Sequence, residues 1–467
     1  MFGHFFRGDP HIMRGIGACN FIFLFREKEL SMNNNTLNDD AVYDATKLGY
    51  PKMIVLGLQH TFAMFGATVL VPLLTGLDVS TTLLFAGLGT LLFHVVTKGK
   101  VPAFLGSSFA FLGGYAAIAP LIDGQPNKEM LPYAAGGVFC AGMIYVVLAA
   151  FIKFYGSEKV MHFFPPVVTG PIIIAIGLNL APSAINNCKA DWRVALIAIL
   201  VTIYFNIWGK GMLKIIPIVL GVVASYLAAL ALGDVSLSEI GSKAIVALPP
   251  ITLMKFDLTA IITIMPIALA TMMEHIGDIN AIGATTGHNY IKDPGLHRTL
   301  LGDGLATSLA SAFGGPANTT YGENTGVLAL TKIYDPRVIE IAACFAILLS
   351  FFPKVGYIIE SVPAATIGGI SLILYGMISA VGIRNMVENH VDFSRSRNTI
   401  IAALILVLAL GLGDGITFTV AGTTITLSAL ATASLVGIIA NAVLPGNEYV
   451  FKEDTEDEKD KFQTYEV

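Results

Sequence analysis

Charged side chains are scarce. Asp, Glu, Lys and Arg make up 13% of the 467 residues, about half the ~25% of an ordinary soluble domain. With 54% hydrophobic residues and a mean hydropathy of +0.71, that deficit excludes a water-soluble globular chain. The uncharged runs recur, and many are long enough to cross a bilayer, so the sequence reads as an integral membrane protein. Cysteine is also scarce. Cys19, Cys140, Cys188 and Cys344 are scattered without ligand spacing and suggest neither a disulfide framework nor a metal site. The net charge of −5 says little, because much of it comes from an acidic tail that reads as disordered and solvated. No cofactor and no nucleic-acid partner is expected. Glycine, by contrast, is plentiful at 47 residues, as suits transmembrane helices that approach closely.

The beginning of the chain is irregular. Residues 1–25 mix Arg7, Asp9 and Arg14 with short apolar stretches, and the run at 21–25 is too short for a signal peptide. Arg26, Glu27, Lys28 and Glu29 stand where a cleavage site belongs. An Asn/Asp-rich stretch at 33–40 follows. Met32 reads as the natural start, and residues 1–51 as a disordered cytoplasmic extension.

Apolar runs cover 52–76, 81–96, 101–119, 133–154, 165–180, 194–208 and 213–232. A polar linker at 233–257 follows, and then 258–281, 299–313, 314–331, 338–352, 364–381, 399–412 and 427–444. Seven and seven is the count. An odd number per half sends the second half in from the opposite side, as in an inverted repeat. With the N-terminus inside, cytoplasmic loops hold the larger share of Lys and Arg, including Lys98, Lys100, Lys153, Lys159, Arg395 and Arg397. That bias supports cytoplasmic N- and C-termini.

Two acids lie inside such runs. Glu274 sits near the middle of the eighth. Glu323 follows the broken backbone Gly-Gly-Pro-Ala-Asn-Thr-Thr-Tyr-Gly at 314–322. Ionisable groups at bilayer depth are costly, and irregular backbone there is tolerated only where it lines a cavity. The third run of each half is interrupted, and matched interruptions point to a transporter binding site. Extended backbone there can pair strand to strand, and each following half-helix aims its N-terminal N–H groups at a solute.

These residues carry a family resemblance from Pro51 to Arg397. The sequence is similar to the nucleobase/ascorbate transporter (nucleobase:cation symporter) family, in its bacterial uracil permease branch. The signature acid-Asn-x-Gly, then Thr and a basic residue, stands as Glu323-Asn324-Thr325-Gly326 and Thr331-Lys332. Further similar stretches are Leu58 to Pro72, Gly106 to Phe111 and Asp293 to Arg298. The resemblance implies an all-α polytopic protein of fourteen segments in two inverted repeats, segments 3 and 10 being part strand and part helix. It implies a core domain at 52–155 and 257–360 and a gate domain at 156–256 and 361–446, with the cytoplasmic tail at 447–467.

For the site, the resemblance implies that Glu274 and Glu323 hold uracil and that Phe109 and Gly322 supply backbone N–H donors. Tyr321 would line the pocket. A carboxylate accepts from the base's N–H groups and backbone N–H groups serve its carbonyls. Glu274, Asp278, Glu323 and His60 are candidates for proton coupling, with sodium not excluded. The purine-preferring branch has Gln at the signature acid, so Glu323 favours a pyrimidine, though xanthine is the nearest alternative. One departure stands out: Asp278 occupies a position where uracil permeases carry histidine. Two acids one helical turn apart repel, and in low dielectric one of them holds a proton. A homodimer through the gate domain is also implied.

Blander readings compete. His60 suits a helix-packing hydrogen bond, His275 a core contact facing away from Glu274, and Phe109 and Tyr321 ordinary packing. A metal site from Glu274, His275, Asp278 and His288 fails on spacing. An intramembrane aspartyl protease is suggested by Gly411-Leu412-Gly413-Asp414, but no facing Tyr-Asp lies on the preceding span, so no dyad forms. The Gly-Asp-Gly there reads as a turn after segment 13. An anion exchanger of similar architecture would want basic sites in place of paired acids.

Overall fold

In the computed structural model of the chain, residues 41–122, 125–235, 244–413, 415–420 and 423–446 are described. The chain divides after Ala41, and the elements below belong to the unit that begins at Val42. The first half contains α1 (Tyr50–Thr75), α2 (Val79–Val96), strand β1 (Leu105–Ser107), α3 (Phe109–Ile118), α4 (Leu131–Tyr155), α5 (Pro166–Cys188), α6 (Trp192–Trp208) and α7 (Pro217–Leu232). The second contains α8 (Leu258–Thr286), α9 (Leu296–Ala312), strand β2 (Asn318–Thr320), α10 (Gly322–Thr331), α11 (Pro336–Ser350), α12 (Ala364–Glu388), α13 (Ser396–Gly411), a hairpin β3 (Ile416–Val420) and β4 (Thr423–Leu427), and α14 (Ala429–Val443). Each half therefore sets two helices before a strand and half-helix, and four helices after it. Among the described residues, six helices are long and apolar enough to cross a membrane alone; the others are shorter or broken.

Local sequence sets the ends. Asp78 caps α2 by accepting from the Thr81 N–H at 2.7 Å, and Asp257 caps α8 by accepting from Ala260 N–H at 2.9 Å. Pro166, Pro217 and Pro336 open their helices, where a missing N–H costs nothing. Helix α11 stops at Ser350 and the chain turns through 85° into Pro353–Glu360.

Packing falls into two sets. Helices α1, α2, α4, α9 and α11 pack on one another, and α5, α6, α7, α12, α13 and α14 on one another. Glycine makes the closest contacts possible. A Cβ on Gly142 would lie 2.7 Å from the Gly304 carbonyl, and one on Gly304 would lie 2.6 Å from that of Gly142. The α4–α9 backbones thus touch where any larger residue would drive them apart.

Three features differ from the sequence expectations. Residues 42–49, placed in a disordered extension, are structured. Val42 N–H donates to the Lys332 carbonyl and Tyr334 N–H to that of Val42, each at 2.9 Å, and Ala45 N–H donates to Asp335 at 2.7 Å. Backbone pairing and the Asp335 carboxylate outweigh the polar composition. The segment after α13 holds a β-hairpin as well as a turn, built from alternating Thr and apolar residues. Segment 7 starts at Pro217, because that proline breaks the run preceding it. The 1–31 region and the 447–467 tail lie outside the described residues.

Candidate substrate site

Strands β1 and β2 pair antiparallel, with Leu105 opposite Thr320, Gly106 opposite Thr319 and Ser107 opposite Asn318. Tyr321 N–H to the Phe104 carbonyl and Ser108 N–H to that of Ala317, both 2.9 Å, extend the ladder at its ends. All six strand residues are buried, so their remaining polar groups need partners. The surrounding helices supply them, through short polar side chains and backbone carbonyls. Thr90 Oγ1 on α2 accepts from Leu105 N–H at 2.9 Å, and Ser107 Oγ donates to the Thr68 carbonyl of α1 at 3.0 Å. Thr307 of α9 donates to the Asn318 carbonyl at 2.6 Å, and Asn318 Nδ2 to that of Phe85 at 2.6 Å.

Each strand runs into a half-helix, α3 at Phe109 and α10 at Gly322. The N-cap residues, Ser108 and Tyr321, make no side-chain capping bond. Two sets of first-turn N–H groups therefore flank the small sheet as donors, with the positive ends of two helix dipoles behind them. Such a pair suits a neutral or anionic solute rich in acceptor atoms.

The sequence-predicted residues fall around this point. Phe109 is buried at the start of α3, with its ring edge-on to Tyr375 of α12 at 5.9 Å. Gly322 opens α10, and a Cβ there would lie 3.1 Å from Asp278 Oδ1. Asp278 of α8 is thus buried against the start of the half-helix. Glu274 lies one turn earlier on α8, half-buried, and α8 packs on α10. Glu323 is the second residue of α10; its side chain lies outside what the structure describes. His60 of α1 is buried, with Nδ1 3.3 Å from Asn324 Nδ2. It therefore reaches the signature Asn beside Glu323. Tyr321 turns back onto the sheet: its hydroxyl donates to the Ser107 carbonyl at 2.9 Å. Its ring covers Gly106, where a Cβ would come within 2.5 Å of it.

Two buried pairs were not anticipated. His275 Nδ1 lies 3.2 Å from Asp303 Oδ2 of α9 and 3.1 Å from Thr320 Oγ1 of β2, which joins α8, α9 and the sheet. His94 Nδ1 of α2 lies 3.4 Å from Glu340 Oε1 of α11, and its Nε2 donates to the Ala103 carbonyl, 3.0 Å away, just before β1. Asp303, His94 and Glu340 all lie inside runs read as spans, so the rule that singled out Glu274 applies to them too.

The sequence profile described as "Permease family" matches residues 51–418. The chain belongs to that family. It is 40% identical over 426 residues to the uracil permease of Bacillus caldolyticus, covering 86% of this chain and 95% of the relative. It is 39% identical over 415 residues to that of Bacillus subtilis, covering 84% and 92%. The uracil permease of Escherichia coli K12 is 40% identical over 366 residues, covering 76% and 83%. Among solved structures, SLC26A9 superposes with a TM-score of 0.62 at 14% identity, over 86% of this chain and 66% of that one. The transmembrane domain of the cyanobacterial bicarbonate transporter BicA does so with 0.53 at 16% identity, over 84% and 97%. At such identities the superpositions speak for the fold alone. The chain is a multi-pass membrane permease.

Proposed function

We propose that this permease carries uracil into the cell by proton-coupled symport. One observation carries the reading: two half-helix N-termini meet at a buried two-strand sheet, with Asp278 of α8 against one of them. Uracil carbonyls accept from the first-turn N–H groups of α3 and α10, while Glu323 and Glu274 accept from its ring N–H groups. The full-length likeness to proteins named uracil permeases supports uracil as the base. Phe109 borders the ring, and Tyr321 holds the sheet in register behind it.

Protons enter the account through carboxyl groups. Glu274 and Asp278 lie one turn apart on α8, and this pair of carboxyl groups takes up and releases the coupled proton in the proposed cycle. Release and uptake of that proton from alternate sides would couple solute movement to the proton gradient. Sodium drive in its place would turn the pair into a cation site. The two packing sets of helices suit a core (α1–α4, α8–α11) that rocks against a gate (α5–α7, α12–α14), and the charge bias suits both termini on the cytoplasmic side of the plasma or inner membrane. A homodimer through the gate completes the proposal.

The deciding experiment is Glu323→Gln, measured by calorimetric uracil binding to the purified protein. Loss of one charge-assisted hydrogen bond is expected to weaken binding by about ten- to hundredfold, with folding and membrane insertion unchanged. Unchanged uracil affinity would contradict the assignment.

A further inference from the structure

An apolar groove of about 360 Å³ lies where the end of α4, the turn into α5 and α14 come together. Phe151 and Tyr155 of α4, Phe163 and Phe164 of the turn, and Ile438 of α14 form its walls, and Lys159 lies at its edge. Phe151, Tyr155 and Phe163 are about half exposed, at 50%, 61% and 47%, so the groove faces outward, toward lipid. Its walls are fixed. Asn441 Nδ2 donates to the carbonyls of His162 and Phe163 at 3.2 and 3.4 Å, and Arg397 donates to the Asn441 carbonyl at 2.7 Å and side-chain oxygen at 2.8 Å. These bonds join the α4–α5 turn, the start of α13 and the end of α14 around the groove.

Lys159 is the charged residue among those that line the groove. Lys153 occupies the last turn of α4 and Lys159 the turn beyond it. A long lysine lays its methylenes along apolar surface and carries its ammonium to the headgroup level. A phospholipid with a negative headgroup satisfies both parts: an acyl chain fills the groove and the phosphate meets the ammonium. The charge bias places this end on the cytoplasmic side, where a surface cation attracts anionic lipid.

We propose that the groove between α4, the α4–α5 turn and α14 binds an anionic phospholipid, with an acyl chain against Phe151, Phe163, Phe164 and Ile438 and the phosphate against Lys159. The site is separate from the substrate site, and its occupancy does not depend on which solute is carried.

The test uses the full-length chain in detergent, with native mass spectrometry to count retained lipids. Phosphatidylglycerol, phosphatidylcholine with the same acyl chains and glycerol phosphate are compared. Phosphatidylglycerol is expected to be retained about fivefold more than phosphatidylcholine, the scale of one surface cation, and glycerol phosphate not at all. Lys159→Glu should erase the preference, and Ile438→Trp, which fills the groove, should reduce retention of both lipids; uracil affinity should stay unchanged in each. Equal retention of the two phospholipids, an unaltered preference in Lys159→Glu, full competition by glycerol phosphate, or a lipid-free dimer lost on Ile438→Trp would each overturn the proposal. If Ile438→Trp fails to fold, the Lys159→Glu comparison decides alone.

Discussion

Tyr321 illustrates what individual residues do beside the substrate. Its hydroxyl is the donor to the Ser107 carbonyl and its ring roofs Gly106, so its first duty is to the sheet. Tyr321→Phe leaves that buried carbonyl short of a donor, a loss of about 1–3 kcal/mol. A lowered melting temperature with only a small loss of uracil affinity is expected. A large affinity loss at an unchanged melting temperature would instead mark direct contact. His60 differs in kind: removing it leaves Asn324 without a buried partner, and His60→Ala is expected to weaken uracil binding more than His60→Gln, which keeps a polar group in reach. Glu274, Asp278 and Glu323 stood out in sequence as candidates because acids in apolar runs are rare. The His275–Asp303 and His94–Glu340 pairings were not, since each joins distant segments and no local spacing encodes them. The direction in which Tyr321 points was equally hidden, because it depends on the absence of a side chain at Gly106.

At the scale of elements, the strand pair relies on helices that clasp it. Thr90→Val keeps the shape of the side chain but strands the Leu105 N–H, and a destabilisation of about 1–3 kcal/mol is expected. A thermal melt checks this, and a parallel fall in uracil affinity would tie sheet register to binding. The segment 42–49 forms a second such device. It is pinned between α8, where Tyr43 donates to the Thr286 carbonyl at 2.7 Å, and α11, where Arg337 pairs with both Asp44 and Asp335. The Thr46 hydroxyl holds the Asp44 carboxyl below its ordinary value; burial, the next largest effect, opposes it, and Arg337 adds to the lowering. Because the folded value is the lower one, this stabilisation is complete above the ordinary carboxylate value of about 3.9 and is lost as pH falls through the folded value. Hydrogen exchange at Thr46, corrected for the intrinsic pH effect, should therefore show equal protection at pH 5 and pH 7. Protection should fall in Asp44→Ala at both. The sequence concealed this strap because its polar residues serve pairing and capping, which composition cannot distinguish from solvation. The hairpin after α13 had a visible strand signature, alternating Thr with Ile, Phe, Val and Leu, but a span-by-span reading has no place for it.

For the molecule as a whole, hydropathy carried most of the architecture. The segments emerged in order because lipid requires every crossing stretch to satisfy its own backbone, and interruptions in the third run of each half showed where that requirement is relaxed. Segment ends were less legible. Caps such as Asp78 and Asp257 and breaks such as Pro217 set them, whereas hydropathy changes only gradually there. The pairing of β1 with β2 was foreseeable as extended backbone, but its register depends on Thr90 and Thr307 from two other segments and on the bond of Asn318 in β2 to a third. The uracil movement proposed for this permease is driven by a proton gradient. The most direct measurement is uptake of radiolabelled uracil into proteoliposomes with and without an inward proton gradient, in the absence of sodium, competed by xanthine and thymine. Gradient-dependent accumulation competed by pyrimidines and not by xanthine is the predicted result. Accumulation that ignores the proton gradient and requires sodium, or transport of xanthine with none of uracil, would contradict it.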